Sequence, residues 1–186
     1  MTYAPFRELT TRRLLLRKLR REDAPAFFHR LASSEAVTKY MLFQPHRELS
    51  ESQESVEKAL ARYETGRFYR WCITQKDHGE LIGIIDLLRF DEARNACSFA
   101  YMLSADCWNQ GYGTEALQAV LDFAFREMGI ATVLADHMAG NPASGAVMRK
   151  VGMVPLGVTP GKYEKNGTRH DAVEYRITAP CHVSNA

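Results

Sequence analysis

Trp108-Asn109-Gln110-Gly111-Tyr112-Gly113-Thr114-Glu115-Ala116 is the stretch on which the fold turns. It lies between the end of a strand pattern and the start of an amphipathic helix pattern. From Thr114 the apolar residues Leu117, Val120, Leu121, Ala124, Phe125 and Met128 recur at helical spacing. A helix start offers unpaired backbone N–H groups and the positive end of a dipole. Glycines allow an anion to approach that backbone closely. Together they make a phosphate site. A G-x-G pair alone also marks an ordinary strand-to-helix turn. The spacing is neither the G-x-G-x-x-G of a dinucleotide fold nor the G-K-[ST] of a P-loop.

Three strands precede this stretch. Tyr69 to Gln75 comes first, a turn at Asp77-His78-Gly79 leads to Leu81–Leu88, and a turn around Asp91 to Asn95 leads to Ala96–Ser104. Such short connections make antiparallel neighbours. Further upstream, Arg12 to Leu19 reads as a strand with solvated basic side chains. Asp23 is the expected cap of a helix with Pro25 in its first turn and Phe27, Phe28 and Leu31 on its apolar face. Ser50 and Gln53 have capping-box spacing for a second helix carrying Val56, Leu60 and Tyr63. The irregular stretch from Ala32 to Leu49 is either a packed connection or a wall of a binding site.

Downstream of the glycines, Gly129 closes the helix. Thr132–His137 reads as a strand, and Asn141-Pro142 as the cap and first residue of a helix stopped by Gly152. Met153–Thr159 and Ala172–Thr178 read as two strands joined by a turn region. The order β, α, α, β, β, β, α, β, α, β, β predicts a single α/β domain spanning 1–186, its core at about 10–178.

Composition narrows the function classes. The 186 residues are 46% hydrophobic and 25% charged, with a net charge of +2. That charge is too small to indicate nucleic acid. The opening MTYAPFRELTTRRLLLRKL holds no apolar run of signal-peptide length, and Leu81 to Leu88, interrupted by Asp86, is too short to span a membrane. The expectation is a cytoplasmic protein without a membrane partner. Cys72, Cys97, Cys107 and Cys181 form no CxxC pair and are expected as free thiols, and the six histidines have no metal-ligand spacing.

The QGYGTEA stretch resembles the pyrophosphate loop of GNAT acetyltransferases. TTRRLLLRKLRREDA (10–24) resembles the opening strand and helix start of the Rim-type branch, which acetylates protein N-termini. ELIGIIDL (80–87) resembles its third strand. Asn141-Pro-Ala-Ser144 followed by Met148-Arg-Lys-Val-Gly-Met153 resembles its N-x-x-S helix and K-x-G-F stop. The resemblance covers roughly residues 10–178. It implies a mixed, centrally splayed sheet of about seven strands with about four flanking helices.

It also implies acetyl-CoA as co-substrate, with its pyrophosphate on the backbone of Gln110, Gly111, Tyr112, Gly113 and Thr114. The pantetheine arm would pair with the strand near Met102, Leu103 and Ser104. Backbone donors at the splay would face the thioester oxygen, a strong stabilising device. Asn141 matches a residue that contacts the cofactor arm, though it also suits a helix N-cap. Ser144 matches a position that hydrogen-bonds the sulfur and could protonate the leaving thiolate. It is also an ordinary first-turn serine.

Two positions depart from the family pattern. Trp108 stands where the loop usually begins with Gln or Arg. Ser98 stands at the usual glutamate of A-E-[IL]-G-Y, so the obvious general base is missing. Asp86, Asp136 and His137 are the alternatives on neighbouring strands, with Glu164 and His170 in the late loop. Histidine has the best intrinsic pKa for base work near neutrality, though His137 also reads as a partly buried histidine of its strand. The catalytic set expected from sequence is therefore Ser144, His137 and Asp86, with Tyr163 a second proton donor and no metal.

Acceptor chemistry follows from proton affinity. A lysine amine has a pKa of about 10.4 and an α-amine about 7.7–8.0. Near pH 7 roughly a tenth of an α-amine is already neutral, against well under a thousandth of a lysine. A site without a strong base loses least on an α-amine, such as a ribosomal or other protein N-terminus. A polyamine, aminoglycoside or amino acid is the alternative acceptor. A non-catalytic acyl-CoA-binding module is the alternative class. A nucleic-acid domain using Arg12, Arg13, Arg17, Lys18, Arg20 and Arg21 is the weakest, because no aromatics interleave those charges. A monomer and a homodimer are equally compatible with the sequence.

Overall fold

The structure is a computed structural model and describes residues 3–180; Cys181 lies outside the described residues. The chain runs through β1 (Leu9–Thr10), β2 (Leu14–Arg17), α1 (Ala24–Phe27), α2 (Glu35–Thr38), α3 (Leu49–Tyr63), β3 (Tyr69–Gln75), β4 (Leu81–Asp91), β5 (Ala96–Leu103), α4 (Tyr112–Arg126), β6 (Thr132–Met138), α5 (Pro142–Lys150), β7 (Val154–Lys165) and β8 (Thr168–Thr178). One eight-stranded sheet has the order β1-β2-β3-β4-β5-β6-β8-β7. The extra strand and helix relative to the sequence expectation are the two-residue β1 and the one-turn α2.

Alternation along the strands divides the core between the two faces. Trp71 and Ile73 point to the α4–α5 side and pack with Leu117, Val120 and Leu121. Cys72 between them points to the α1–α3 side, with Phe27, Leu31 and Val56. All are buried.

The feature that positions the site is the junction of β5 and β6. This is the parallel pair, and it holds for three residues only: Ala96↔Thr132, Cys97↔Val133 and Ser98↔Leu134. Beyond Ser98 the strands part. Phe99 to Leu103 stay paired with β4 on one side and have no strand on the other.

Four local expectations are corrected. Helix α3 begins two residues earlier than Ser50 implied. Its cap is Glu48 with Glu51, which accepts from the Glu48 N–H at 3.0 Å, and Ser52 instead bonds His46 Nδ1 at 2.7 Å. Asp23 does not cap α1 through its side chain. It accepts from both Arg17 terminal nitrogens at 2.7 Å and from the Arg20 N–H at 2.7 Å. Arg17 is thus a buried ion-pair member rather than a solvated strand charge. Finally, the late turn region is mostly strand. The hairpin extends to Lys165, and only Asn166-Gly167 turns, with positive φ at both residues as a tight two-residue hairpin loop requires.

Candidate active site

The splay opens into a cavity of about 710 Å³ that runs from the N-terminus of α4 to the β7–β8 hairpin. At its first end lies the glycine loop. Gly111 caps α4 with φ of +82°. The first helical bond there is Glu115 N–H to the Gly111 carbonyl at 3.0 Å. The N–H groups of the first turn are therefore without helical acceptors. A Cβ on Gly113 would come within 3.2 Å of Leu103 and 3.5 Å of Tyr101. The loop can lie this close to β5 because it carries no side chain there. Gly111, Tyr112, Gly113 and Thr114 all line the cavity, as do Met102 and Leu103.

The loop supplies no positive charge of its own: between Arg94 and Arg126 the chain has no Lys, Arg or His. Cations come from elsewhere. Lys150 at the end of α5 lines the cavity. Arg13 reaches across from the N-terminal strands. It donates to the Gln110 carbonyl at 2.9 Å and to Glu115 at 2.7 Å, and its guanidinium lies 4.2 Å from the Tyr112 ring centroid. Glu115 also accepts from the Thr11 hydroxyl at 2.6 Å and the Arg13 N–H at 2.8 Å. Burial works against its charge, but these bonds prevail and hold its carboxyl below the ordinary range. Arg13 thereby neutralises the carboxylate in the first turn of α4.

Ser104 and Gln110, expected at the cofactor end through their backbone, turn their side chains away from the cavity. Ser104 is buried behind the cavity, its N–H bonded to the Ile82 carbonyl at 2.8 Å and its hydroxyl to Asp106. Gln110 is exposed, with its side-chain amide on the Asp106 carbonyl at 2.7 Å. Trp108 fills the position where the loop usually begins with Gln or Arg and donates to the Leu103 carbonyl at 2.9 Å. Asn141 is the N-cap of α5, its side chain accepting from the Ser144 N–H at 3.4 Å, and it also lines the cavity.

Ser144 lies at the middle of the cavity beside Tyr101 of β5. Burial raises the Tyr101 pKa, and the adjacent Ser144 hydroxyl partly offsets that rise. Tyr101 was visible in sequence only as a motif residue. Its partnership with Ser144 depends on the docking of α5 against β5.

His137 contributes to the cavity wall, but its ring is buried toward α5. Nδ1 lies 2.8 Å from the Met138 carbonyl, and Nε2 would sit 2.5 Å from a Cβ on Gly145. The ring also packs on Tyr175, with centroids 5.6 Å apart. It occupies the space that the absent Gly145 side chain leaves under α5.

The far end of the cavity holds the carboxylates. Asp86 takes two bonds from Arg70, both at 2.7 Å. Asp136 accepts from Lys162 at 2.7 Å and from the Tyr163 hydroxyl. Burial and that bond push the Tyr163 phenol up to about 12. One wall is the loop after α2, with Tyr40, Met41 and Phe43. Lys165 fastens it, donating to the carbonyls of Thr38 at 2.7 Å and Met41 at 2.6 Å. Of the two roles the sequence allows for this stretch, packed connection or wall of a site, its fastening to the hairpin tip makes it a wall of the cavity. Ser98 sits at the last paired position before the splay and is not part of the lining. Arg70 and Arg89 carried no local sequence signal; Arg13 lies in the 10–24 stretch and Lys150 is the lysine of the K-x-G-F-like stop, but neither position pointed to the cavity.

Among the described residues no group of His, Cys, Asp or Glu is arranged to hold a metal, and no helix is long and apolar enough to cross a membrane.

Comparison with known proteins agrees with this geometry. The family model described as an acetyltransferase (GNAT) domain matches residues 13–154. The uncharacterized N-acetyltransferase YoaA of Bacillus subtilis (strain 168) is 28% identical over 172 residues, 92% of this chain and 97% of the relative. Two solved structures share the fold. The ribosomal L7/L12 alpha-N-protein acetyltransferase RimL, in complex with coenzyme A, has a TM-score of 0.83 at 20% identity, covering 93% of this chain and 98% of its own. Spermidine N-acetyltransferase from Vibrio cholerae, in complex with CoA and spermine, has a TM-score of 0.75 at 20% identity, covering 89% and 95%. With a family match over most of its length and a splayed sheet opening onto a glycine-capped helix, the chain belongs to the GNAT acetyltransferase family.

Proposed function

We propose that the protein moves the acetyl group of acetyl-CoA to the α-amine of a peptide or protein N-terminus, by direct attack with both substrates bound. As a GNAT acetyltransferase it is an acyltransferase drawing on acetyl-CoA. The acceptor is the proposed part. The observation that carries it is the state of the acceptor-end carboxylates. Asp86 and Asp136 are each held by a fixed cation, Arg70 and Lys162. Each carboxylate is already engaged by hydrogen bonds within the protein, so neither lies open to the acceptor's proton. Such a site suits an amine that is already partly neutral near pH 7. The α-N-protein acetyltransferase RimL shares this fold, which is consistent with that choice.

Acetyl-CoA supplies an activated acyl group on a thiolate leaving group. The protein's own part is to bind, orient and manage protons. The first-turn N–H groups of α4, with Gly111 and Gly113, bear the pyrophosphate. The unpaired edge at Met102 and Leu103 orients the extended arm, and backbone donors at the splay face the thioester oxygen. Asn141 holds the start of α5, so that Ser144 stands beside Tyr101 and donates a proton to the departing sulfur. Asp86 and Asp136 stay engaged by Arg70 and Lys162, and the ammonium form of the acceptor loses its proton through water. His137 supports α5 from beneath. One continuous cavity serves both ends, which favours direct transfer over a covalent acyl-enzyme.

The test is acceptor-dependent thiol release from acetyl-CoA with N-terminal peptides, spermidine and aminoglycosides. Peptides should have the highest kcat/KM. Ser144→Ala should lower kcat by about a hundredfold with little change in KM. Preference for spermidine would overturn the acceptor assignment. CoA binding without any release would establish the binding-module alternative.

A further inference from the structure

The acceptor end of the cavity has charged groups whose partners are all accounted for, with one exception. Asp86 is bonded to Arg70, Asp136 to Lys162 and Tyr163, and Glu174 to Lys162 and Thr159. Arg89 also lines this cavity, is exposed, and has no hydrogen bond or ion pair among the described residues.

Its backbone is unusual as well. The β4–β5 register breaks between Leu88 and Asp91, and Arg89 has φ of +52°. That conformation is natural for glycine and uncommon for a long side chain. A bulge of this kind re-aims a side chain out of the regular alternation. Arg89 is close enough to the Asp136–Tyr163 pair for its charge to be felt at the phenol, opposing the rise that burial and Asp136 impose. The acceptor end thus sets carboxylates that are already paired beside a guanidinium that has nothing to bind.

We infer that Arg89 selects acceptors bearing a carboxylate a few bonds from the amine to be acetylated. The inference rests on the proposed N-terminal acetylation and narrows it to amino termini with an acidic side chain in the first residues. The guanidinium fork takes a carboxylate through two parallel N–H···O bonds. A polycation finds no such complement here, because each carboxylate is already held. The α-carboxylate of a free amino acid would present the same chemistry, so the experiment includes both sources.

The probes are matched pairs: a peptide beginning Ser-Asp against its Ser-Asn twin, and free glutamate against its α-amide. For each, kcat/KM is measured by thiol release with the wild-type protein, Arg89→Gly and Arg89→Glu. Glycine suits the +52° backbone, so Arg89→Gly removes the charge without strain. Melting temperatures with and without CoA report folding. We expect the wild-type protein to favour Ser-Asp over Ser-Asn by about tenfold. The ratio should fall to about one in Arg89→Gly and invert in Arg89→Glu. Peptide turnover with a wild-type ratio near one, or a ratio unchanged in Arg89→Gly, overturns the inference and leaves N-terminal acetylation standing. Glutamate favoured over its amide, with the same Arg89 dependence and silent peptides, supports carboxylate selection and overturns the peptide acceptor. Turnover of spermidine alone overturns both.

Discussion

Removing the Arg13 side chain tests whether the N-terminal strands maintain the phosphate loop. Arg13→Ala deletes the 2.7 Å ion pair with Glu115, the 2.9 Å bond to the Gln110 carbonyl and the stacking on Tyr112. A charge-assisted hydrogen bond is worth about 1.5–3 kcal/mol. The Arg13 side chain is 32% exposed and Glu115 17%, so the lower half of that range applies. Stacking adds about 0.5–1 kcal/mol. Glu115 keeps its bonds from the Thr11 hydroxyl and the Arg13 N–H, which limits the loss. The sum is about 2–3 kcal/mol, or a fall in Tm of roughly 5–10 °C for a domain of this size.

Function should suffer separately. The variant leaves an unmasked carboxylate in the first turn of the helix that would face the pyrophosphate, and KM for acetyl-CoA should rise about tenfold. Glu115→Gln in the Arg13→Ala background should recover part of that affinity, because it removes the repelling charge. The pH dependence has a definite sign. Glu115 has a depressed folded pKa, so its contribution is present above the unfolded value of about 4.3 and is lost as pH falls through the folded value. The Tm difference between wild type and Arg13→Ala should be full at pH 7 and shrink below about pH 4. Calorimetry and initial-rate kinetics provide both readouts. An unchanged KM together with a Tm within a degree of wild type would refute the assigned role.

Three further outcomes are expected. Gly83→Ala would place a Cβ 2.5 Å from Leu103 Cδ2 and 2.5 Å from the Met102 carbonyl, forcing β4 away from β5; we expect a loss of about 1–3 kcal/mol by urea unfolding and weaker CoA binding by calorimetry. Lys165→Ala frees the loop carrying Met41 and Phe43, so acceptor KM should rise severalfold while acetyl-CoA KM holds, as steady-state kinetics would show. Burial pushes the Cys72 and Cys97 thiols up to about 12, so at pH 8 only about one in ten thousand is thiolate and neither should react with a thiol reagent until the protein is denatured.

Much of this protein was determined locally. The helical period from Thr114, the Asn141-Pro142 start, the short turns of the β3–β4–β5 meander and the glycine cap at 111 each depend on residues near one another in the chain. The same locality explains the misplacements. The Ser50–Gln53 spacing was outcompeted by Glu48 and Glu51 two residues earlier, and the late hairpin hid behind glycines and a proline that its bulges absorb. The site itself was legible only where a motif stayed contiguous, as in the glycine loop and Asn141–Ser144.

The remainder required the tertiary structure, because ion pairs and ring packing depend on which side chains the sheet brings across long sequence separations. Arg13 meets Glu115 across 102 residues, and Lys165 meets Met41 across 124. His137 had the right intrinsic chemistry for a base, but a strand directs alternate residues to opposite faces, and its ring went under α5. Asp86 is a carboxylate in the sequence and half of an ion pair in the fold. The sequence therefore determined the glycine-loop end of the cavity, which is built largely from backbone and glycine. Only the tertiary structure decided the carboxylate end, because its character depends on which charges are left without a partner.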